Sequence, residues 1–257
     1  MTVDQNLALP RILCLHGGGV NGEVFRMQCR TIIAQLAHSF RLVFMDAPYL
    51  SSPHKDIVPV YGDFGPFYRW SAWNDEQPSL PPTAQAEDVM NSCLSTMQQD
   101  QGSGDWVGVL GFSQGAKIAI SLLWAQQRAE EVLGRGQART DFKFGVIMAG
   151  GAPIAHLDVR LPHRPRHIAD SAMFIPSFDD LPDAPYGEHV VDIPTVHVHG
   201  LQDAGIERHR QLLELYCKPG QTRLVEWDAG HRLPIKTVDV QRVVREMLDV
   251  ARQTGAI

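Results

Sequence analysis

Several features that would fix a function early are missing from this sequence. Its four cysteines, Cys14, Cys29, Cys93 and Cys217, are scattered over 257 residues and show no CxxC spacing. That argues against a zinc ribbon, a dithiol redox motif or a disulfide framework. Cys14 and Cys29 fall in or beside apolar segments, where a free thiol behaves as a small hydrophobe. Positive charge is also scarce, with 23 Lys and Arg against 29 Asp and Glu, a net charge of −6. This argues against general nucleic-acid binding, which needs a basic surface. Long apolar runs are lacking too: the longest weakly polar stretch, Gly145–Ala155, is too short and too rich in glycine to span a bilayer. Met1–Leu9 contains Asp4 and no basic-then-apolar order, so no secretory leader is expected. The expectation is a cytoplasmic enzyme that binds neither membrane nor nucleic acid.

The remaining composition is that of a globular protein, 44% hydrophobic and 20% charged. One domain over residues 1–257 is expected, large enough to bury about 75% of its unfolded surface without staples. Six short apolar, β-branched runs read as buried strands: Arg11–Leu15, Arg41–Asp46, Trp106–Gly111, Phe142–Ala149, Thr195–His199 and Arg223–Trp227. Between them lie helical patterns at Gly22–His38, Ala84–Gln99, Gln114–Leu133, Ile206–Tyr216 and Thr237–Ala251. This alternation predicts an α/β fold, a mainly parallel, doubly wound sheet flanked by helices. Such sheets bind ligands at the carboxyl ends of their strands. Two long segments interrupt the pattern, Ala47–Pro82 and Gly150–Ile193, and are expected to be covers over that end.

Gly111-Phe112-Ser113-Gln114-Gly115 fits G-x-S-x-G, after the strand-like WVGVLGF and before the helix-like AKIAISLLWAQQ. A nucleophilic serine needs such a setting, a tight turn that lifts its oxygen above the sheet between residues small enough for close packing. Serine also needs a base, and the base a third group to orient it. In the nucleophile–acid–base order of this architecture, Asp203 comes next, just beyond the strand TVHVHG, and His231 follows the strand RLVEW. Asp179, Asp180 and Asp183 are rivals for the acid but have no strand to place them, and Asp228 is very close to His231 in sequence. Asp203 has a plainer reading as a cap for the helix starting near Ile206. His197 and His199 share a strand face, but no third ligand has metal spacing, so neither a metal nor a cofactor is expected. The oxyanion donors should be the N–H of Gln114 and that of Gly18, with Gly19 the second choice.

The glycine loop carries a competing signal. Gly17-Gly18-Gly19-Val20-Asn21-Gly22 also fits G-x-G-x-x-G, and Asp46 stands where a ribose-binding acid would. An NAD(P)-binding oxidoreductase is therefore the rival from another class, although it leaves Ser113, Asp203 and His231 unexplained.

With these motifs assembled, the chain resembles the fungal FSH-type serine hydrolases of the α/β-hydrolase fold. It is most similar to the branch of trans-acting thioesterases and hydrolases of polyketide gene clusters, of the lovastatin and citrinin type. The landmarks are ILCLHGGG with Phe25-Arg26-Met27-Gln28, MDAPYL, the loop Phe64-Gly65-Pro66-Phe67-Tyr68-Arg69-Trp70, GFSQGA, PTVHVHGLQD and the late AGH. The resemblance implies the same triad, Ser113, Asp203 and His231. It also implies hydrolytic release or editing of a polyketide acyl chain carried as a thioester on an acyl-carrier domain. A short-chain carboxylesterase is the same-class alternative, and a non-catalytic ligand-binding protein on a hydrolase fold a further one. Phe64, Phe67, Tyr68, Trp70 and Trp73 are the expected lining of an apolar acyl channel. Arg160, His163, Arg164, Arg166 and His167 form a basic cluster, in which Arg164 and Arg166 are the candidate carrier-docking residues.

Overall fold

The computed structural model describes residues 6–72, 77, 80–172 and 178–257. Six strands form one parallel sheet: β1 (Arg11–Leu15), β2 (Arg41–Met45), β5 (Trp106–Phe112), β6 (Phe144–Met148), β7 (Thr195–Gly200) and β8 (Thr222–Trp227). Their order is β2-β1-β5-β6-β7-β8, each pair parallel. Burial follows from that order. Every residue of β6 and β7 is buried, as apolar runs covered on both faces require. The edge strands β2 and β8 have mixed exposure instead.

Helices cover both faces. One core joins α1 (Gly22–Gln28), α2 (Arg30–Leu36) and α7 (Thr237–Gln253) to the sheet through Phe25, Ile32, Leu36, Val243 and Met247. In α7 the buried Val240, Val243, Val244, Met247, Val250 and Ala251 recur at helical spacing on one stripe. The opposite core joins α4 (Pro82–Gln99), α5 (Gln114–Val132) and α6 (Ile206–Tyr216) through Val89, Ile120, Trp124, Leu212 and Tyr216. Among the described residues no helix is long and apolar enough to cross a membrane.

The single helix expected over Gly22–His38 is two. Fully buried Cys29 sits between them at φ −83°, ψ 6°, outside the helical ψ range, and redirects the chain. The segment expected as a featureless cover, 47–82, also holds short elements. β3 (Tyr49–Ser51) and β4 (Phe67–Arg69) form an antiparallel ribbon, with α3 (Val58–Tyr61) between them. Asn21 fastens this cover: its Oδ1 caps α1 by accepting the Val24 N–H, while its Nδ2 donates to the carbonyls of Phe64 and Pro66.

Candidate active site

Ser113 joins β5 to α5 at φ 54°, ψ −116°, a conformation that costs a non-glycine residue of order 1–3 kcal/mol. The two glycines of the motif make the turn sterically possible. A Cβ on Gly111 would lie 2.2 Å from the Gly115 carbonyl oxygen, and one on Gly115 would lie 2.1 Å from that of Leu15. Strand and helix thus touch through backbone, and the Ser113 N–H is anchored on the Met148 carbonyl of β6.

Asp203 and His231 come from the loops after β7 and β8, which bind each other. The Gln202 N–H donates to Ala229 O, and Gln202 Nε2 donates to Asp228 Oδ1 at 2.6 Å. Asp228, the nearby rival acid, therefore serves as a loop fastener. A Cβ on Gly200 would meet the carbonyls of Ala229 and Gly230 at 2.5 Å, so the two loops approach as closely as backbone allows.

The three side chains meet. His231 Nδ1 lies 2.6 Å from Asp203 Oδ2, and His231 Nε2 lies 2.9 Å from Ser113 Oγ. A carboxylate only accepts, so Nδ1 carries the proton and donates to Asp203, leaving Nε2 to accept the Ser113 O–H. Asp203 is not the cap of α6, whose N-cap is Gly205 with no side-chain cap bond; its other oxygen accepts the Gly205 N–H at 2.8 Å and so holds the turn that leads into the helix. Burial alone would raise the Asp203 carboxyl, but the bonds from His231 and the Gly205 N–H hold it below its usual value. Its side chain is 3% exposed, whereas that of His231 is 37% exposed.

Beside the serine, the glycine loop after β1 is held from below by His16. His16 Nδ1 donates to Gly17 O at 2.6 Å, and Nε2 accepts the Ala47 N–H at 2.9 Å. Burial pushes this imidazole down to about 4, so it is neutral. Because a trans peptide points its C=O and N–H in opposite directions, fixing Gly17 O on His16 turns the Gly18 N–H away, on the side where Gly18 borders the cavity. Neither that N–H nor the Gln114 N–H at the head of α5 has an acceptor among the described residues. Gly19, the second choice as a donor, is engaged: its N–H donates to Tyr68 O at 2.8 Å, and its φ of 67° and tight contact with His54 serve the turn. The Gln114 side chain clamps the cover, accepting the Trp70 N–H and donating to Ser71 O. Of these supports the Gln114 clamp has no sequence signal. His16, directly before the glycines, suits an oxyanion loop on sequence alone, and its two hydrogen bonds hold that loop.

A cavity of about 440 Å³ opens beside Ser113 and His231. Its apolar walls are Val20, Ile57, Val60, Tyr61, Phe112 and Leu233. Among the described residues, the predicted aromatic channel is not this wall. Phe67 (5% exposed) and Trp70 (0%) belong to the packed cores. Trp70 Nε1 donates to His16 O at 2.7 Å, so it supports the glycine loop from within. Tyr68 joins β4 to the glycine loop through its backbone, and Phe64 lies edge-on against Tyr61. Trp73 lies outside the described residues. Phe67 and Trp70 thus serve packing and Phe64 is exposed, and the wall comes instead from the run Ile57-Val58-Pro59-Val60-Tyr61, an apolar cluster legible in the sequence.

The described part of the second cover, 150–172 and 178–193, packs through Ile154, Leu157 and Ile168 into the core built on α4 and α5. Its basic cluster is largely answered internally. Arg166 pairs with Asp180 at 2.7 Å, Arg160 with Asp158, and the Arg164 guanidinium donates to the Ile168 carbonyl. Asp158 lies two residues from Arg160, whereas Asp180 is fourteen residues from Arg166 and reaches it only through the fold. His197 and His199 are buried and held down to about 3 and about 4 by burial, so they are neutral core residues. Asp203, His209 and His231 offer donor atoms within 4.8 Å of one another, but Asp203 Oδ2 and His231 Nδ1 already bond to each other. Asp46, the would-be ribose ligand, accepts the Gly22 N–H at 2.7 Å and so caps α1. The dinucleotide reading loses its acid.

Fold and site together define a serine hydrolase built on the α/β-hydrolase sheet. The chain belongs to the serine hydrolase (FSH1) family, whose sequence profile matches residues 5–243. It is 44% identical over 261 residues to esterase citA of Monascus ruber, covering 99% of this chain and 97% of that one. It is 42% identical over 259 residues to esterase claE of Penicillium crustosum, again covering 99% and 97%. Among solved structures, TT1662 from Thermus thermophilus superposes with a TM-score of 0.55 at 15% identity, over 95% of this chain and 89% of that one. That likeness is one of fold.

Proposed function

We propose that Ser113, His231 and Asp203 act as a catalytic triad that hydrolyses an acyl ester or thioester, with Gly18 and Gln114 as the oxyanion donors. The observation that carries this reading is the continuous chain from Ser113 Oγ through His231 to Asp203, at 2.9 and 2.6 Å. His231 Nε2 takes the Ser113 proton as Oγ attacks the acyl carbon. The carbonyl π pair moves onto oxygen, where the N–H groups of Gly18 and Gln114 face the new charge. Collapse expels the alcohol or thiol, protonated by His231, and leaves an acyl-enzyme. Water repeats the sequence and releases the acid. Asp203 stays ionised throughout and stabilises the imidazolium.

The substrate in this reading is a polyketide-type acyl chain on a carrier-protein thioester. The resemblance to trans-acting polyketide hydrolases and the apolar cavity walls support it. An oxygen ester is the second reading, favoured by the relatives' own description as esterases. Two measurements test these claims. Fluorophosphonate labelling of the intact chain should vanish in Ser113→Ala, and labelling that survives would remove Ser113 from its role. Rates on matched thioester and oxygen-ester substrates with the same acyl chain then choose between the bonds.

A further inference from the structure

The cavity beside Ser113 is apolar on its walls but cationic at its rim. Its charged lining residues are Arg30, Asp56 and Arg232, an excess of guanidinium in a protein whose net charge is −6. Asp56 lies 3.7 Å from His54 Nδ1. Among the described residues, neither arginine has a carboxylate partner: Arg30 contacts the Met27 carbonyl at 3.4 Å, and Arg232 lies over the Trp227 ring at 5.8 Å. Several other arginines are ion-paired, as with Arg41 to Asp100 and Arg128 to Glu131. The two come from different elements brought to one edge. Arg30 opens α2, Arg232 follows His231, and the Thr31 hydroxyl donates to Ile235 O at 3.3 Å, tying these segments together. Arg232 thus stands one residue from the imidazole that borders Ser113.

From this juxtaposition we infer that the substrate of the Ser113 site carries an anionic group, a carboxylate or a phosphate, beyond the scissile bond, and that Arg30 and Arg232 receive it. The inference rests on Ser113 hydrolysing an acyl ester or thioester in this cavity. A guanidinium offers forked donors matched to either oxyanion, and an unpaired pair at a cavity mouth attracts such a group while the apolar walls take the rest of the chain. The anion has two possible chemical sources. It is a carboxylate on the acyl chain, or the phosphate of a pantetheine arm on the leaving side.

Two substrate pairs separate the sources. The first is octanoyl-phosphopantetheine against octanoyl-pantetheine, and the second is the nitrophenyl monoester of adipic acid against its methyl ester. One pair should show a preference of about tenfold in kcat/KM for its anionic member, expressed in KM and weakened by salt. That preference should fall toward one in Arg30→Gln/Arg232→Gln and be partly kept when both become Lys. The responding pair identifies the source. Equal rates within both pairs, or a preference that survives the double Gln variant, would overturn the inference. Hydrolysis of the neutral members, and its loss in Ser113→Ala, reports separately on the hydrolytic reading. If that reading fails, calorimetry on Ser113→Ala still decides: binding of phosphopantetheine or adipate monoester that the double Gln variant abolishes supports the arginines, and binding it leaves unchanged refutes them.

Discussion

Gly115, at the head of α5, lies against the Leu15 carbonyl at the end of β1 so closely that a Cβ would sit 2.1 Å from that oxygen. Through this contact the serine turn is seated directly on the strand that feeds the glycine loop. Gly115→Ala should destabilise the fold by at least about 3 kcal/mol, since backbone on both sides has no room to yield. Urea midpoints measure it; a loss under about 1 kcal/mol would show that the approach is softer than the geometry implies.

Asp203→Asn keeps the shape of the side chain but can hold His231 in the wrong tautomer. The rate kcat should fall by about 10⁴ with little change in melting temperature. A fall of tenfold or less would mean that the 2.6 Å bond does not orient the imidazole.

Neighbouring glycines should respond differently. Gly19→Ala forces a side chain into φ 67° and within 2.5 Å of the His54 nitrogen, so it should cost about 1–3 kcal/mol of stability and loosen the cover. Gly18→Ala should leave the melting temperature near that of the parent and act mainly on turnover. Equal stability losses would place both glycines in one structural role.

Cavity walls should set chain length. Ile57→Trp should shift preference toward shorter acyl chains while a small fluorophosphonate still labels Ser113. By contrast Trp70→Ala, removing a fully buried ring, should cost about 3–5 kcal/mol and lower all activities together. A selective change of chain length in Trp70→Ala would return the aromatic to the pocket.

Acid should unfold this protein through its buried histidines. Burial holds His16 and His199 down to about 4 and His197 to about 3, from an ordinary 6.5. Below about pH 6.5 the unfolded chain takes up protons that the native state refuses. Stability therefore falls as pH drops, by about 1.4 kcal/mol per pH unit for each such histidine, until the folded values are reached. Asp203 adds the carboxylate case: its value is lowered in the fold, so its contribution is full above the unfolded value and is lost as pH falls through the folded one. Urea midpoints at pH 7.5, about 6 and about 5 test this, and His199→Gln should flatten the profile. A flat profile in the parent would contradict the burial argument.

The sequence made the sheet legible because each strand is a short apolar run set apart by helical spacing. The serine, the acid and the base were legible because each follows such a strand. What stayed hidden depends on contacts between distant segments. Nothing local says that Asp46 caps Gly22 or that Asp180 answers Arg166. Three-residue strands such as β4 are too short to show a period, so the aromatics beside it gave no hint of which way they point. The break at Cys29 has no proline or glycine to announce it.

His231 keeps 37% of its side chain open to solvent while its acid partner is sealed. In the proposed cycle, bulk water would reach the imidazole without any described segment having to move aside. An acyl group on Ser113 would then be intercepted by solvent before a second, scarcer acceptor could diffuse in. In that cycle such an open flank would favour release over acyl transfer, and shielding that edge is the change that would have to come first if a descendant were to make esters instead of breaking them.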